Sequence, residues 1–177
     1  MRRFVIIALA AVLVLPAPWS VAAPAKQWQA VRSAADGFAA LFPGTPGLKA
    51  EPVPNSHGAV QRTWRLDISD HETYQLAVTI FHGYTFPPPT LDLYDHLPAG
   101  YAASSQSHVR TRHMIDIAGY PAVEAIFDSD DGHDFHHLVD VLIVGDHLYI
   151  VASGGRGAHE HDTDALKFHN SFRLLKP

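Results

Sequence analysis

The chain has 177 residues, 47% hydrophobic and 18% charged, with 13 Lys and Arg against 18 Asp and Glu for a formal charge of −5. That acidic balance argues against nucleic acid or an anionic membrane surface as partner. The lack of any cysteine excludes disulfides, thiol catalysis and a lipid anchor on cysteine, so stability must come from a packed core, for which about 150 residues suffice in one domain.

Met1-Arg2-Arg3 is followed by an unbroken apolar run from Phe4 to Leu15, which Pro16 and Pro18 close. A helix that crosses a bilayer needs about 20 apolar residues. This run is shorter and leads into small residues, the pattern of a cleavable secretory signal peptide. Cleavage is expected after Ala22 or Ala25. Residues 1–25 are therefore read as the leader and 26–177 as one domain, periplasmic or secreted, with no stable membrane insertion. The leader carries Arg2 and Arg3 and no acidic residue, so its loss takes the formal charge from −5 to −7 and leaves all 13 histidines on the exported side.

Beyond the leader, Trp28 to Ala35 reads as a short lead-in, with a turn at Asp36-Gly37 and a strand over Phe38–Phe42. Pro43-Gly44-Thr45-Pro46-Gly47 punctuates, and a second strand follows near Leu48 to Val53. Val60 to Ile68 alternates, with Trp64, Leu66 and Ile68 on one face. Tyr74 to Phe81 is rich in strand formers, and Asp70-His71-Glu72 joins the two as a hairpin. After Pro87-Pro88-Pro89, Thr90 is placed to cap a helix carrying Leu91, Tyr94 and Leu97, which Pro98 is expected to kink or end. Strands follow over Val109–Ile117, Tyr120–Phe127, Phe135–Val144 and His147–Ala152, with turns at Ala118-Gly119, Asp131-Gly132 and Gly145-Asp146. Asp162 or Thr163 caps a final helix carrying Ala165, Leu166 and Phe168, and Ser171 to Leu175 closes as a short strand.

Phe135–Val144 decides the architecture. Phe135, Val139, Val141 and Ile143 share one face and Leu138, Leu142 and Val144 the other, so both faces need cover. The two helices and the N-terminal hairpin are the simplest covers. The expected fold class is α+β, a central antiparallel β-sheet flanked by helices.

Four segments carry a resemblance. Gly37-Phe38 leading to Phe42-Pro43-Gly44-Thr45-Pro46 is similar to the G-F-x-x-x-F-P-G-x-P opening of PsbP-like proteins. Gly119-Tyr120-Pro121-Ala122-Val123-Glu124 resembles their G-x-P-x-x-E, His147-Leu148-Tyr149-Ile150 their x-L-Y-x-L strand, and Phe168-His169-Asn170-Ser171-Phe172 their closing F-x-x-S-F. The order and spacing agree over nearly the whole domain. The resemblance implies a PsbP-like α/β/α sandwich and an extracytoplasmic, non-catalytic accessory role. It supplies no catalytic residue. Many bacterial relatives look like lipoproteins, and that anchoring does not carry over to a chain without cysteine.

Histidine is the unusual feature. His133, His136 and His137 sit beside Asp128, Asp130, Asp131 and Asp134, and His159 and His161 are expected in a loop after Gly154-Gly155-Arg156-Gly157. On a strand His133 and His137 share a face. Imidazole and carboxylate are ordinary zinc and copper ligands. His133, His137, His159 and His161 are therefore the candidate metal residues, if they converge; the bland alternative is a solvated polar loop. Asp128 to Gly132 resembles a calcium loop but lacks its closing glutamate. Ser153-Gly154-Gly155 is the nearest approach to a nucleophile on a sharp turn, without Gly-x-Ser-x-Gly. Tyr84, Phe86, Tyr94 and Tyr101 around the prolines offer a docking edge, or pack down on the helix. The expected function is an exported, non-catalytic accessory or binding protein without a cofactor, its partner an envelope protein or a small ligand. The alternatives are a periplasmic zinc or copper binder and an unrecognised hydrolase.

Overall fold

The structure, a computed structural model, describes residues 26–175 except 55, 57, 85, 87–90 and 131. The leader, the prolines at 87–89 and the Thr90 cap lie outside the described residues. No described helix is long and apolar enough to cross a membrane.

β1 (Gln29–Ser33) and β2 (Phe38–Phe42) form an antiparallel hairpin, and β10 (Arg173–Leu174) adds to the other edge of β2. The hairpin turns through Gly37 at φ +70°, where a Cβ would also lie 2.9 Å from the Tyr149 hydroxyl. β3 (Gly47–Pro52), β4 (Val60–Ser69), β5 (Glu72–Ile80), β6 (Ser107–Ile117), β7 (Tyr120–Ser129), β8 (Phe135–Val144) and β9 (His147–Arg156) make a second, wholly antiparallel sheet. Its order is β3-β4-β5-β9-β8-β7-β6. Helix α1 (Leu91–Ser105) links β5 to β6, and α2 (Thr163–Ser171) follows a 3-10 turn at His159–His161. The side chain of Asp162 caps α2 by accepting from Asp164 N at 2.7 Å.

The large sheet carries cover on both faces, as its central strand requires. On one face Leu76, Val78, Leu142, Tyr149 and Val151 pack against the small sheet and α2. Phe38 and Phe42 alternate inward from β2, and aromatic edges interlock there, Phe38 on Trp64 at 4.7 Å and Phe42 on Phe168 at 4.9 Å. On the other face Val123, Ala125, Phe127, Val139 and Val141 pack against Tyr94, Leu97 and Tyr101 of α1. The layers are α1, the seven-stranded sheet, and the small sheet with α2.

Two local expectations change. Of the two outcomes expected at Pro98, a kink or an end, the end does not occur: α1 runs on to Ser105. The lost hydrogen bond and ring clash of an internal proline, about 3 kcal/mol, are offset by burial of Tyr94, Leu97, Tyr101 and Ala102 on either side of it. The β7–β8 connection is not a two-residue turn: β7 ends at Ser129 and β8 begins at Phe135. Side chains hold this longer loop, His136 lying 2.6 Å from Asp128 and 2.8 Å from Asp134 through its two ring nitrogens.

Candidate functional site

Helix α1 packs over β6, β7 and β8, and the side chains that continue the same face toward β4 are polar. Register places them in two rows. Arg65 pairs with Gln75, Gln75 with Ala152 and Ala152 with Val139. Asp67 pairs with Thr73, Thr73 with Gly154, Gly154 with His137 and His137 with Phe127. Where α1 ends, these rows form the floor of a cleft of about 320 Å³ lined by Arg65, Thr73, Gln75, Tyr101, Phe135 and His137 among others. Gly154 is essential to its shape. A Cβ there would fall 2.7 Å from the Phe135 ring and 3.1 Å from His137 Nδ1, so both rings lie on bare backbone.

The cleft is electrically unusual. Burial, the His159 and His136 rings and the Arg65 guanidinium pull His137 down to about 4, so it is neutral at physiological pH. Burial holds the Tyr101 phenol up at about 12 against the opposing charge of Arg65. Tyr101 Oη lies 3.3 Å from His137 Nδ1. As the Nδ1–H tautomer His137 donates to this oxygen and leaves the tyrosine O–H to donate into the cleft; as the other it accepts. The charge in this wall is Arg65, whose Nε–H reaches both oxygens of Asp67 at 3.0 and 3.1 Å.

A larger cleft, about 510 Å³, lies at the other end of the sheet between Ala34, Gly37, Ala118, Tyr120, His147 and Tyr149. Two of its polar groups are already paired, Tyr149 donating to Asp36 O at 2.9 Å and His147 Nδ1 lying 2.6 Å from Asp146. The convergence of polar groups singles out the first cleft.

The four histidines proposed from sequence are divided by the sheet. His133, in the loop before β8, and His137 border one hollow with Phe135 and Arg156. His159 lies on the opposite face, 5% exposed, its ring seated where a Cβ of Gly155 would come within 2.3 Å of Nδ1. His161 is exposed at the end of the same 3-10 turn. Among the described residues no group of three or more histidines and carboxylates is placed to hold a metal ion. The neighbouring His136 and His108 pair with carboxylates, His108 Nδ1 lying 2.7 Å from Asp130. The aromatics around the prolines also divide: Tyr94 is 1% exposed, whereas Phe86 stacks edge-on against Phe81 and Tyr84.

Ser153-Gly154-Gly155 is not a turn, as the hydrolase reading required, but the interior of β9. Its glycines are there because a ring covers each face. Ser153 nonetheless belongs to a group that the sequence reading missed. Its Oγ lies 3.1 Å from His169 Nε2, and His169 Nδ1 lies 2.7 Å from Asp140 Oδ2. The connectivity is that of a nucleophile, base and carboxylate, but Ser153 is 1% exposed and Asp140 5%, so no acyl group reaches the hydroxyl. The group instead ties α2 to β8 and β9. A signal was available: Asp140 interrupts the apolar run Leu138-Val139-Asp140-Val141-Leu142, and a buried carboxylate demands a partner.

Comparison with family sequence profiles gives no match, and no curated protein matches the chain in sequence. The structure is similar to the solution structure of cyanobacterial PsbP (CyanoP) from Synechocystis sp. PCC 6803, with a TM-score of 0.57 at 16% identity over 91% of this chain and 99% of that one. The likeness establishes a PsbP-like fold, in agreement with the four segments quoted from the sequence.

Proposed function

We propose that this chain is an exported, non-catalytic binding domain whose ligand site is the cleft between the end of α1 and the polar half of the large sheet. One observation carries the reading: a neutral histidine and a protonated tyrosine, both withdrawn from solvent, converge with an arginine and a glutamine on a floor cleared of side chains at Gly154. A concave site with a few convergent polar groups is the usual form of a small-molecule site. The burial of Ser153 supports the non-catalytic part, and the basic start and short apolar run of residues 1–25 support export.

The test is a ¹H–¹⁵N NMR titration of the purified protein with mixtures of small polar metabolites. The amides of Gln75, Tyr101, His137 and Ala152 should move together and saturably. Ser104→Trp, which fills the cleft from its exposed rim, should suppress the response. Shifts confined to other surfaces, or shifts unaffected by Ser104→Trp, overturn the assignment. Localisation is checked by fractionating the producing cell: retention of unprocessed protein in the cytoplasm contradicts export.

A further inference from the structure

The cleft has a neighbour of opposite character. Arg65, Thr73 and Phe135 also border a hollow of about 400 Å³ whose remaining wall is Asp67, Ser69, Asp70 and Glu72. One side of this shared rim therefore offers a guanidinium and neutral donors, the other carboxylates. Asp67 stands at the junction, accepting from Arg65 and, at 2.7 Å, from Thr73. Glu72 is committed elsewhere, to Lys26 and to the Tyr74 hydroxyl at 2.5 Å, which leaves Asp70, on the β4–β5 turn, as the outer carboxylate. Between the two halves the Phe135 ring lies against Gly154 as a common apolar wall.

We infer that the cleft receives a free zwitterionic α-amino acid with an apolar side chain, its carboxylate on Arg65 and Tyr101, its ammonium toward Asp67 and Asp70, and its side chain against Phe135. The inference rests on the cleft being the binding site. A carboxylate fits the guanidinium fork, since the contact with Asp67 engages only Nε–H. A simple carboxylate would still face the outer carboxylate of Asp70, and a simple amine would face Arg65; a molecule carrying both charges answers both walls. Because His137 is neutral it adds no second cation to the carboxylate side.

The probes are L-phenylalanine and L-leucine, with 3-phenylpropanoate and 2-phenylethylamine as the phenylalanine analogues that lack one charge each. Saturable shifts at Gln75, Tyr101, His137 and Ala152 are expected with the amino acids. The single-charge analogues should bind about tenfold more weakly or worse, as loss of one charge-assisted contact implies. Arg65→Met and Asp70→Asn, both at exposed positions, should each weaken amino-acid binding about tenfold, with spectral dispersion and thermal midpoint unchanged. Equal affinity for 3-phenylpropanoate, or undiminished binding by Arg65→Met, overturns the amino-acid assignment while the cleft remains the site. No saturable shift with either amino acid overturns it as well, and the cleft reading is then decided separately by the broader mixtures and Ser104→Trp.

Discussion

Acid should weaken this fold through His137 in a way that one substitution isolates. In the folded chain its pKa is lowered to about 4 by burial first, then by His159, His136 and Arg65, against the ordinary 6.5 of an unfolded chain. Between those values the unfolded state binds a proton that the folded state refuses, so stability rises with pH in this window. The contribution is fully present above pH 6.5 and is lost as pH falls toward 4. The full difference corresponds to about 3 kcal/mol, and partial solvent access at the cleft reduces it to about 2 kcal/mol. The assay is urea unfolding followed by the fluorescence of Trp28 and Trp64 at pH 7.5, 6.5, 5.5 and 4.5, for the wild type and His137→Gln, which keeps a hydrogen-bonding partner for Tyr101. With a urea slope of about 2 kcal/mol per molar, the wild-type midpoint should fall by about 1 M more than that of the variant. His159, which burial also lowers, and His136, which its Asp134 and Asp128 hydrogen bonds raise despite burial, titrate in both proteins and largely cancel. Midpoints that stay parallel within about 0.3 M across this range would falsify the account of His137 as a buried neutral base.

Other substitutions test other parts of the frame. Gly155→Ala puts a Cβ 2.3 Å from His159 Nδ1 and should cost about 1–3 kcal/mol as overpacking; in a His159→Ala background the same change should be neutral or stabilising, because alanine is the better strand residue, and a double-mutant cycle measured by urea unfolding reads the coupling. His169→Ala should destabilise by about 3–5 kcal/mol by leaving the Asp140 carboxylate buried and unpaired, whereas Asp140→Leu/His169→Leu together should cost less than half of that; equal losses would show that the pairing is not what matters. Ala118, at φ +56°, sits in a left-handed conformation that costs a residue with a Cβ about 1 kcal/mol, so Ala118→Gly should raise the thermal midpoint by a few degrees.

The fold was legible wherever side-chain alternation met a sharp turn. Phe135–Val144 announced burial on both faces, and its even and odd positions do pack on opposite layers. The tight turns at Ala118-Gly119 and Gly145-Asp146 fixed strand ends because Gly119 and Gly145 supply positive φ. Reading failed where tertiary contacts override local chemistry. Pro98 reads as a kink or an end of the helix, and burial of the residues around it decides against an end. Gly154-Gly155 reads as a loop, since nothing local says that two rings from distant positions will occupy the missing side-chain volume. Open-looking glycines and a helix-breaking proline are both local signals, and in each case packing against elements distant in sequence sets the outcome.

The histidines show the same limit at the level of the site. In sequence they form one cluster, but a β-strand alternates, so a run such as His136-His137 is parted by the sheet that contains it. His136 turns to the carboxylates of the β7–β8 end and holds its proton more firmly, while His137 turns under α1 and gives its proton up. His159 and His169 lie on the α2 side, one against Gly155 and one bridging Ser153 and Asp140. One residue type thus serves as surface ion-pair partner, neutral wall of a cleft and buried tie between layers, and which role each takes is set by face and depth. Gly154 marks the division in the structure: it is a strand glycine without positive φ, its bare backbone is covered by the Phe135 and His137 rings, and it forms the floor of the cleft.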